Sequence, residues 1–161
     1  MQCSTQTPRT VSPRGVELIK VSEGLRLKAY PDPATGRDPW TIGYGHTGQG
    51  INNRTRWTEA MADRALEKDI ARHAEEVARL IEDTPTTQSE FDALVSFDFN
   101  TGALHRSTLL KKHVAEDYRG AAGQFARWVW ANGRRLRGLE IRRDRERSLY
   151  LRDRNPDLAS K

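Results

Sequence analysis

The stretch from residue 23 to residue 47 constrains the fold of this 161-residue chain more than any other part of it. Two strand-like pieces, 27–31 and 40–46, flank the sequence DPATGRDP, whose Asp-Pro and Thr-Gly pairs are typical of turns. Together they predict a β-hairpin with a long tip. In the second piece, a period of two places bulky side chains on one face and residues 41, 43, 45 and 47 on the other. Because that other face holds two glycines between two threonines, it predicts the floor of a ligand groove.

A short helix is predicted directly before the hairpin, over residues 13–23. Ser12 is a good N-cap, Pro13 suits the first helical position and Gly24 suits the position after the last. Glu23 then lies at the helix C-terminus, where the negative end of the macrodipole disfavours ionisation of a carboxyl. A protonated carboxyl is what a general acid requires.

Asp32 lies in the polar turn that follows the first strand, where backbone amides favour an ionised carboxylate. Glu23 and Asp32 therefore have opposed environments, as the acid and the carboxylate of a glycoside hydrolase do. Taken alone, two such residues at this spacing are most often ordinary surface residues. The surrounding motif decides between these two interpretations.

The stretch closely resembles the signature of phage-type lysozymes, the soluble endolysins related to the T-even phage lysozyme. The shared elements are E-G-x-R-x-x-A-Y-x-D, a hairpin tip, and then T-I-G-x-G-H. The resemblance implies that Glu23 is the general acid, that Asp32 faces the attacking water and that Thr41 holds this water. The tip, residues 33–39, is longer than in the shortest family members, which leaves these three roles in place.

The resemblance also implies an α+β fold that is mostly α-helical. It would be a lysozyme-like two-lobed domain with a small β-hairpin lobe, a long bridging helix and a helical C-terminal lobe. The expected divisions are a flexible tail over 1–12, a single domain over 13–161, a hairpin lobe over about 25–57, a bridging helix over about 58–82, and a helical lobe over about 85–155 that includes helix 13–23.

Local signals predict the later helices as well. After the N-cap Thr58, apolar residues recur every three or four positions and stop before Pro85, which predicts the long helix. The sequence TQSE at 87–90 is a capping box and opens another helix. Two more are predicted over 117–131 and 139–152, separated by an Asn-Gly turn.

By the same resemblance, several residues outside the hairpin motif belong to the site. One of Arg142 and Arg143 should turn inward and orient Glu23. A contact between His46 and Asp69 is expected to tie the hairpin to the long helix, as a structural contact and not a catalytic one. Candidates for substrate binding are Thr47, Phe99, Asn100, Thr108 and Gln124, of which Phe99 fits an ordinary core position equally well.

The activity that follows from the resemblance is hydrolysis of the β-1,4 bond between N-acetylmuramic acid and N-acetylglucosamine in bacterial peptidoglycan. Inversion at the anomeric carbon and lysis of the host cell are expected. A lytic transglycosylase on the same substrate is the alternative. That reaction needs only the acid, so Asp32 and Thr41, which serve an incoming water, argue against it. No cofactor and no metal are expected.

The charge of the chain indicates an anionic partner or a role in solubility. The sequence holds 27 basic and 22 acidic residues, for a formal net charge of +5. Nine arginines lie between 134 and 154, but four acidic residues are interleaved with them. That pattern favours a salt-bridged, solvent-exposed face over a nucleic-acid site, so no nucleic-acid partner is expected. The C-terminal arginines are candidates for contact with an anionic outer-membrane surface.

The remaining expectations concern the cell. One cysteine, Cys3, excludes an intrachain disulfide and suits synthesis in a reducing cytoplasm. No apolar leader or signal-anchor segment is recognised in the sequence. We therefore expect a monomer that stays in the host cytoplasm until lysis, reaches the periplasmic wall through a holin-type pore and acts there.

Overall fold

A computed structural model describes residues 9–33 and 35–154, and these form an α+β fold that is mostly helical. The predicted fold class is confirmed. Within the described residues there are six α-helices and five short strands. The helices are α1 Pro13–Glu23, α2 Glu59–Ile81, α3 Gln88–Thr101, α4 Thr108–Val114, α5 Tyr118–Gln124 and α6 Arg137–Leu151. The strands are β1 Arg26–Tyr30, β2 Thr41–Gly43, β3 His46–Thr47, β4 Trp130–Ala131 and β5 Arg134–Arg135.

The first helix begins and ends where its capping residues indicate. The Ser12 hydroxyl accepts a hydrogen bond from the Gly15 amide, and Pro13 occupies the first turn. Gly24 has φ +71° and donates its N–H to the Lys20 carbonyl at 2.9 Å. The first eight residues of the expected tail lie outside the described residues. Residues 9–12 are held in place, since the Ser12 amide donates to Asp92 of α3 at 2.9 Å.

The second strand of the predicted hairpin is in fact two strands. β1, β2 and β3 form an antiparallel sheet in that order, and the chain turns back between β2 and β3. The alternation predicted over 40–47 is therefore wrong. Gly43 and Gly45 adopt φ +67° and +81°, which reverses the chain where an extended strand was expected.

Gly43 does not form the predicted floor of a groove, because it packs inside the protein. Gly43 is buried, and a Cβ added there would lie 3.1 Å from the Trp57 ring and 3.4 Å from Ala62. The absence of a side chain at Gly43 therefore lets the sheet pack closely onto α2 and the segment before it. Gly45 has a different neighbour, the carboxylate of Glu23.

The long helix α2 contacts both the sheet and the helical part of the chain. Thr58 caps it, and its 23 residues extend for about 35 Å. It packs against β2 and β3 and also against α3 and α4. Its buried face consists of Ala62, Leu66, Ile70, Ala74, Val77 and Ile81.

Helix α3 lies at the centre of the fold. The capping box is present, with Thr87 and Glu90 bonding each other's backbone amides. Every residue from Ser89 to Asp98 is buried, because α1, α2 and α6 all pack against this helix. Its polar side chains therefore need partners inside the protein.

The helix predicted over 117–131 is interrupted. α5 ends at Gln124, a 3-10 turn follows over Phe125–Arg127, and β4 and β5 then form a small hairpin. Asn132 and Gly133 adopt φ +51° and +72° between these strands. Two consecutive residues with positive φ suit a two-residue hairpin turn, so the Asn-Gly signal overrides the helical apolar spacing before it.

None of the helices among the described residues combines the length and the apolar character that a membrane span requires.

Candidate active site

Glu23 is the last residue of α1, and its carboxylate is held between two neighbours. Its Oε1 accepts a hydrogen bond from Nη1 of Arg142 at 2.5 Å. Its Oε2 lies against Gly45, where an added Cβ would be only 3.2 Å away. The side chain keeps 19% of its surface exposed, so a substrate atom can still reach it.

Asp32 is positioned by the hairpin tip, which folds back onto it. Its amide donates to the Arg37 carbonyl at 3.0 Å, and its carbonyl accepts from the Gly36 amide at 2.8 Å. Oδ2 of its carboxylate lies 3.5 Å from the Thr35 hydroxyl. The enlarged tip therefore fixes the backbone of Asp32 through its own hydrogen bonds.

Thr41 begins β2 and lies between the other two strands. Its Cα pairs with Tyr30 of β1 on one side and with Thr47 of β3 on the other. Directly opposed residues of antiparallel strands share a face, so the Thr41 and Thr47 side chains are neighbours. Asp32 follows Tyr30 by two residues, which places Asp32 and Thr41 at the same end of the sheet.

The sheet thus separates the two carboxylates. Glu23 meets the turn between β2 and β3 at Gly45, whereas Asp32 and Thr41 are at the opposite, open end of these strands. In a glycoside hydrolase, a sugar linkage and a water lie between the two carboxyl groups, and we propose that role for the region between Glu23 and Asp32.

Both candidate arginines turn inward, where one was expected to. Arg142 contacts Glu23, as described above. Arg143 is also buried, and its Nη2 donates to Oδ1 of Asn100 at 2.9 Å. Asn100 is exposed, so Arg143 contacts a residue at the surface while Arg142 contacts Glu23. The orienting role remains a proposal for Arg142.

Glu23, Arg142 and Arg143 form a cluster with two more residues, Glu146 and Ser96, which were not identified from the sequence as site residues. Glu146 is fully buried, and its Oε1 accepts from the Ser96 hydroxyl at 2.7 Å and from Nε of Arg142 at 3.1 Å. Its Oε2 lies 2.8 Å from Nε of Arg143. The signal was available in RRDRE, since Glu146 stands four residues after Arg142 and three after Arg143, on one helix face.

Burial changes the acid–base behaviour of this cluster. Burial raises the pKa of Glu146, while the Arg143 and Arg142 guanidiniums and the Ser96 hydroxyl act against that rise. Burial also lowers the pKa of Arg143, against the attraction of Glu146. Burial and the attraction between opposite charges therefore act against each other at Glu146 and at Arg143.

The structure brings His46 and Asp69 together. Nδ1 of His46 lies 2.7 Å from Oδ2 of Asp69, which joins β3 to α2. The His46 ring also packs against Trp57, with 5.4 Å between ring centroids. Both members of the pair are partly exposed.

The other substrate-binding candidates are spread over several elements. Thr47 lies opposite Thr41, and Asn100 contacts Arg143, so both adjoin the residues above. Phe99 is half-buried, with its ring 5.2 Å from that of His73. Thr108 is exposed at the start of α4, and Gln124 is half-buried at the end of α5. Contact of these residues with substrate remains a prediction.

The C-terminal arginines are less available to a partner than expected. Arg154 pairs with buried Glu90 and lies over the Tyr118 ring. Arg135 pairs with Glu140. The exposed members of the group within α6 include Arg145 and Arg147.

Known proteins share this architecture and sequence. Residues 20–146 match the family described as phage lysozyme. An endolysin of Acyrthosiphon pisum secondary endosymbiont phage 1 is 44% identical over 146 residues, covering 87% of this chain and 97% of that protein. The muramidase domain of SpmX from Asticaccaulis excentricus is a solved structure with a TM-score of 0.79 and 39% identity, covering 89% of this chain and 99% of that one.

One relative is considerably longer. The endolysin of Bacillus phage B103 is 41% identical over 143 residues, which cover 88% of this chain but 54% of that protein. This chain therefore spans about half the length of that relative. The match over residues 20–146, together with full-length relatives above 30% identity, shows that the chain belongs to the phage lysozyme family.

Proposed function

We propose that this protein is an endolysin that hydrolyses the β-1,4 bond between N-acetylmuramic acid and N-acetylglucosamine in peptidoglycan, with inversion. The observation that carries the proposal is the arrangement on the small sheet, with Glu23 at Gly45 and with Asp32 and Thr41 at the opposite end. The names endolysin and muramidase among its relatives support the substrate.

The reaction needs one proton donor and one activated water. Glu23 donates its proton to the glycosidic oxygen as the bond from that oxygen to the anomeric carbon breaks. Water attacks the anomeric carbon from the opposite face of the ring and gives a proton to Asp32, while the Thr41 hydroxyl holds the water by a hydrogen bond. The charge that develops on the sugar is that of an oxocarbenium ion, which a nearby carboxylate stabilises. Solvent then returns a proton to Glu23 and takes one from Asp32.

The test is mass spectrometry of the products from purified peptidoglycan. Glu23→Gln and Asp32→Asn keep the shape of each side chain but remove the proton donor or the base. Matched controls are Glu17→Gln, exposed on the same helix, and Asp38→Asn, exposed in the same tip. We expect reducing sugar ends from the wild type and from both controls. Glu23→Gln should yield none, and Asp32→Asn should be slower by at least about tenfold.

Two results would contradict the proposal. Wall lysis by folded Glu23→Gln at near the wild-type rate would remove Glu23 from the role of acid. Products lighter by one water would indicate an anhydro ring and thus a lytic transglycosylase. The anomeric configuration of fresh product, read by proton NMR, distinguishes inversion from retention.

The cellular route belongs to the same proposal. The protein would act as a monomer on the periplasmic wall after release from the host cytoplasm through a holin-type pore. Exposed arginines of α6, Arg145 and Arg147, would add electrostatic attraction to an anionic outer-membrane surface. Binding to intact cells should then weaken over about 0.05–0.3 M salt, because the Debye length falls below about 10 Å. If binding changes neither with salt nor when these arginines are replaced by Gln, the arginines contribute to solubility and not to surface binding.

A further inference from the structure

The proposed mechanism gives no role to Glu146, a fully buried acid of α6. Glu146 is 0% exposed, and its contacts come from its own helix and from α3. Oε1 accepts hydrogen bonds from the Ser96 hydroxyl, Nε of Arg142 and Nη2 of Arg143, and Oε2 forms an ion pair with Nε of Arg143. A set of donors fits an ionised carboxylate, which only accepts.

Arg142 links this buried carboxylate to the catalytic acid. Its Nη1 donates to Glu23, its Nε donates to Glu146 at 3.1 Å, and its Nη2 donates to the Ser96 carbonyl at 3.1 Å. A planar guanidinium that is bonded on three sides has one position and one orientation. Glu146 and Ser96 therefore fix the Arg142 guanidinium on the sides that do not contact Glu23.

The charges of the cluster balance only when Glu146 is present. Arg142 and Arg143 from α6 face Glu146 on the same helix and Glu23 on α1, while α3 contributes the neutral Ser96 and Asn100. Without Glu146, two guanidiniums would face one carboxyl. Nearby positive charge favours ionisation of a carboxyl, whereas a general acid must hold its proton.

We propose that Glu146 is a positioning residue for Glu23, which holds the Arg142 guanidinium in place and balances the positive charge around the catalytic acid. The inference rests on the proposed role of Glu23 as the acid. Glu146 makes no contact with the substrate in this account. It acts through the position of Arg142 and through the charge that it sets against Arg142 and Arg143.

The experiment is an NMR titration of the Glu23 carboxyl in protein labelled with ¹³C at glutamate side chains. The signal is assigned by its loss in Glu23→Gln. Glu146→Gln should lower the midpoint of the Glu23 titration by about one pH unit, the scale of losing one charge in such a cluster. Arg143→Gln removes the opposite charge and should raise the midpoint. The double variant should return it close to the wild-type value.

Activity gives a second readout. The general acid must be protonated, so the rate falls as pH rises through the Glu23 titration. The alkaline limb of the kcat profile should therefore move to lower pH in Glu146→Gln and return in the double variant, with little change in KM. The control is Glu90→Gln, which removes another fully buried, arginine-paired acid and should leave the limb unchanged.

Each outcome decides the proposal. A Glu23 midpoint that is the same in Glu146→Gln as in wild type overturns it, as does a double variant that is shifted further than the single one. If Glu146→Gln does not fold, Arg143→Gln carries the test, and an unmoved midpoint there overturns the proposal too. Because the titration needs no turnover, a failure of the proposed activity would leave this result readable and would be seen separately in the Glu23→Gln digest.

Discussion

His113 makes the stability of this protein depend on pH. The imidazole is fully buried and bonded at both nitrogens, with Nδ1 2.6 Å from the Tyr150 hydroxyl and Nε2 2.9 Å from the Thr86 hydroxyl. The Thr86 hydroxyl donates its own hydrogen to the Thr84 carbonyl at 2.8 Å, so it accepts from Nε2–H. Nδ1 then accepts from Tyr150. The network is complete with a neutral ring, and a second proton would have no acceptor without rearrangement.

The magnitude follows from the two pKa values. Burial, opposed by the charge of Glu90, lowers the pKa of His113 from 6.5 to about 4. Between those values the unfolded chain binds a proton that the folded protein does not, so the free energy of unfolding falls as pH falls. Stability is at its full value above pH 6.5 and is lost towards pH 4. One pH unit corresponds to about 1.4 kcal/mol, so the loss is about 2 kcal/mol by pH 5 and about 3 kcal/mol by pH 4.

The assay is urea denaturation at pH 7.5 and pH 5, for the wild type, His113→Gln and the exposed control His105→Gln. All three proteins lose the same free energy of unfolding through the titration of their other ionisable groups. The wild type and His105→Gln should therefore lose about 2 kcal/mol more than His113→Gln between these pH values. His113→Gln will be less stable at pH 7.5, but its pH dependence is the measured quantity. Equal losses in His113→Gln and the wild type, within about 0.5 kcal/mol, would show that His113 does not cause the pH dependence.

Two further predictions concern the sheet. Thr41→Val keeps the β-branched shape but removes the hydroxyl, so turnover of peptidoglycan should fall by at least about tenfold, while Thr41→Ser should retain most of it. Normal turnover by the valine variant would exclude a role in holding water. His46→Ala and Asp69→Ala should lower the melting temperature and leave the rate per folded molecule nearly unchanged. Because this pair is partly exposed, the loss should be about 1 kcal/mol or less, and an unchanged melting temperature in both would contradict the structural role.

Local signals in the sequence predicted the helical framework well. The bounds of α1 follow from Ser12, Pro13 and Gly24, and α2 begins after its predicted cap Thr58. Capping and amphipathic spacing act within a few residues, so they are visible without tertiary structure. The spacing predicted the hairpin poorly because a glycine in a strand-like sequence can either open a face of an extended strand or reverse the chain. Only the fold shows that Gly43 and Gly45 reverse the chain.

The candidate site was predictable where it depends on one contiguous motif, and not where it depends on packing between distant helices. Glu23, Asp32 and Thr41 lie within 18 positions of one another in the sequence. Glu146 lies far from all of them in sequence and reaches Glu23 only because α6 packs against α3 and α1. Charged residues in an arginine-rich segment are usually exposed to solvent. The complete burial of Glu146 could therefore not be inferred from composition.

Glu23 is therefore held by a different part of the fold from Asp32 and Thr41. Glu23 accepts a hydrogen bond from Arg142 of α6, whereas Thr41 is paired within the sheet and the backbone of Asp32 is bonded by the tip. The sheet in turn is fixed on α2, through the close approach at Gly43 and through the contact of His46 with Asp69. These two contacts that hold the sheet on α2 involve no residue of the tip. The longer tip is therefore accommodated without a change in how the sheet packs on α2, because its residues close onto Asp32 with their own hydrogen bonds.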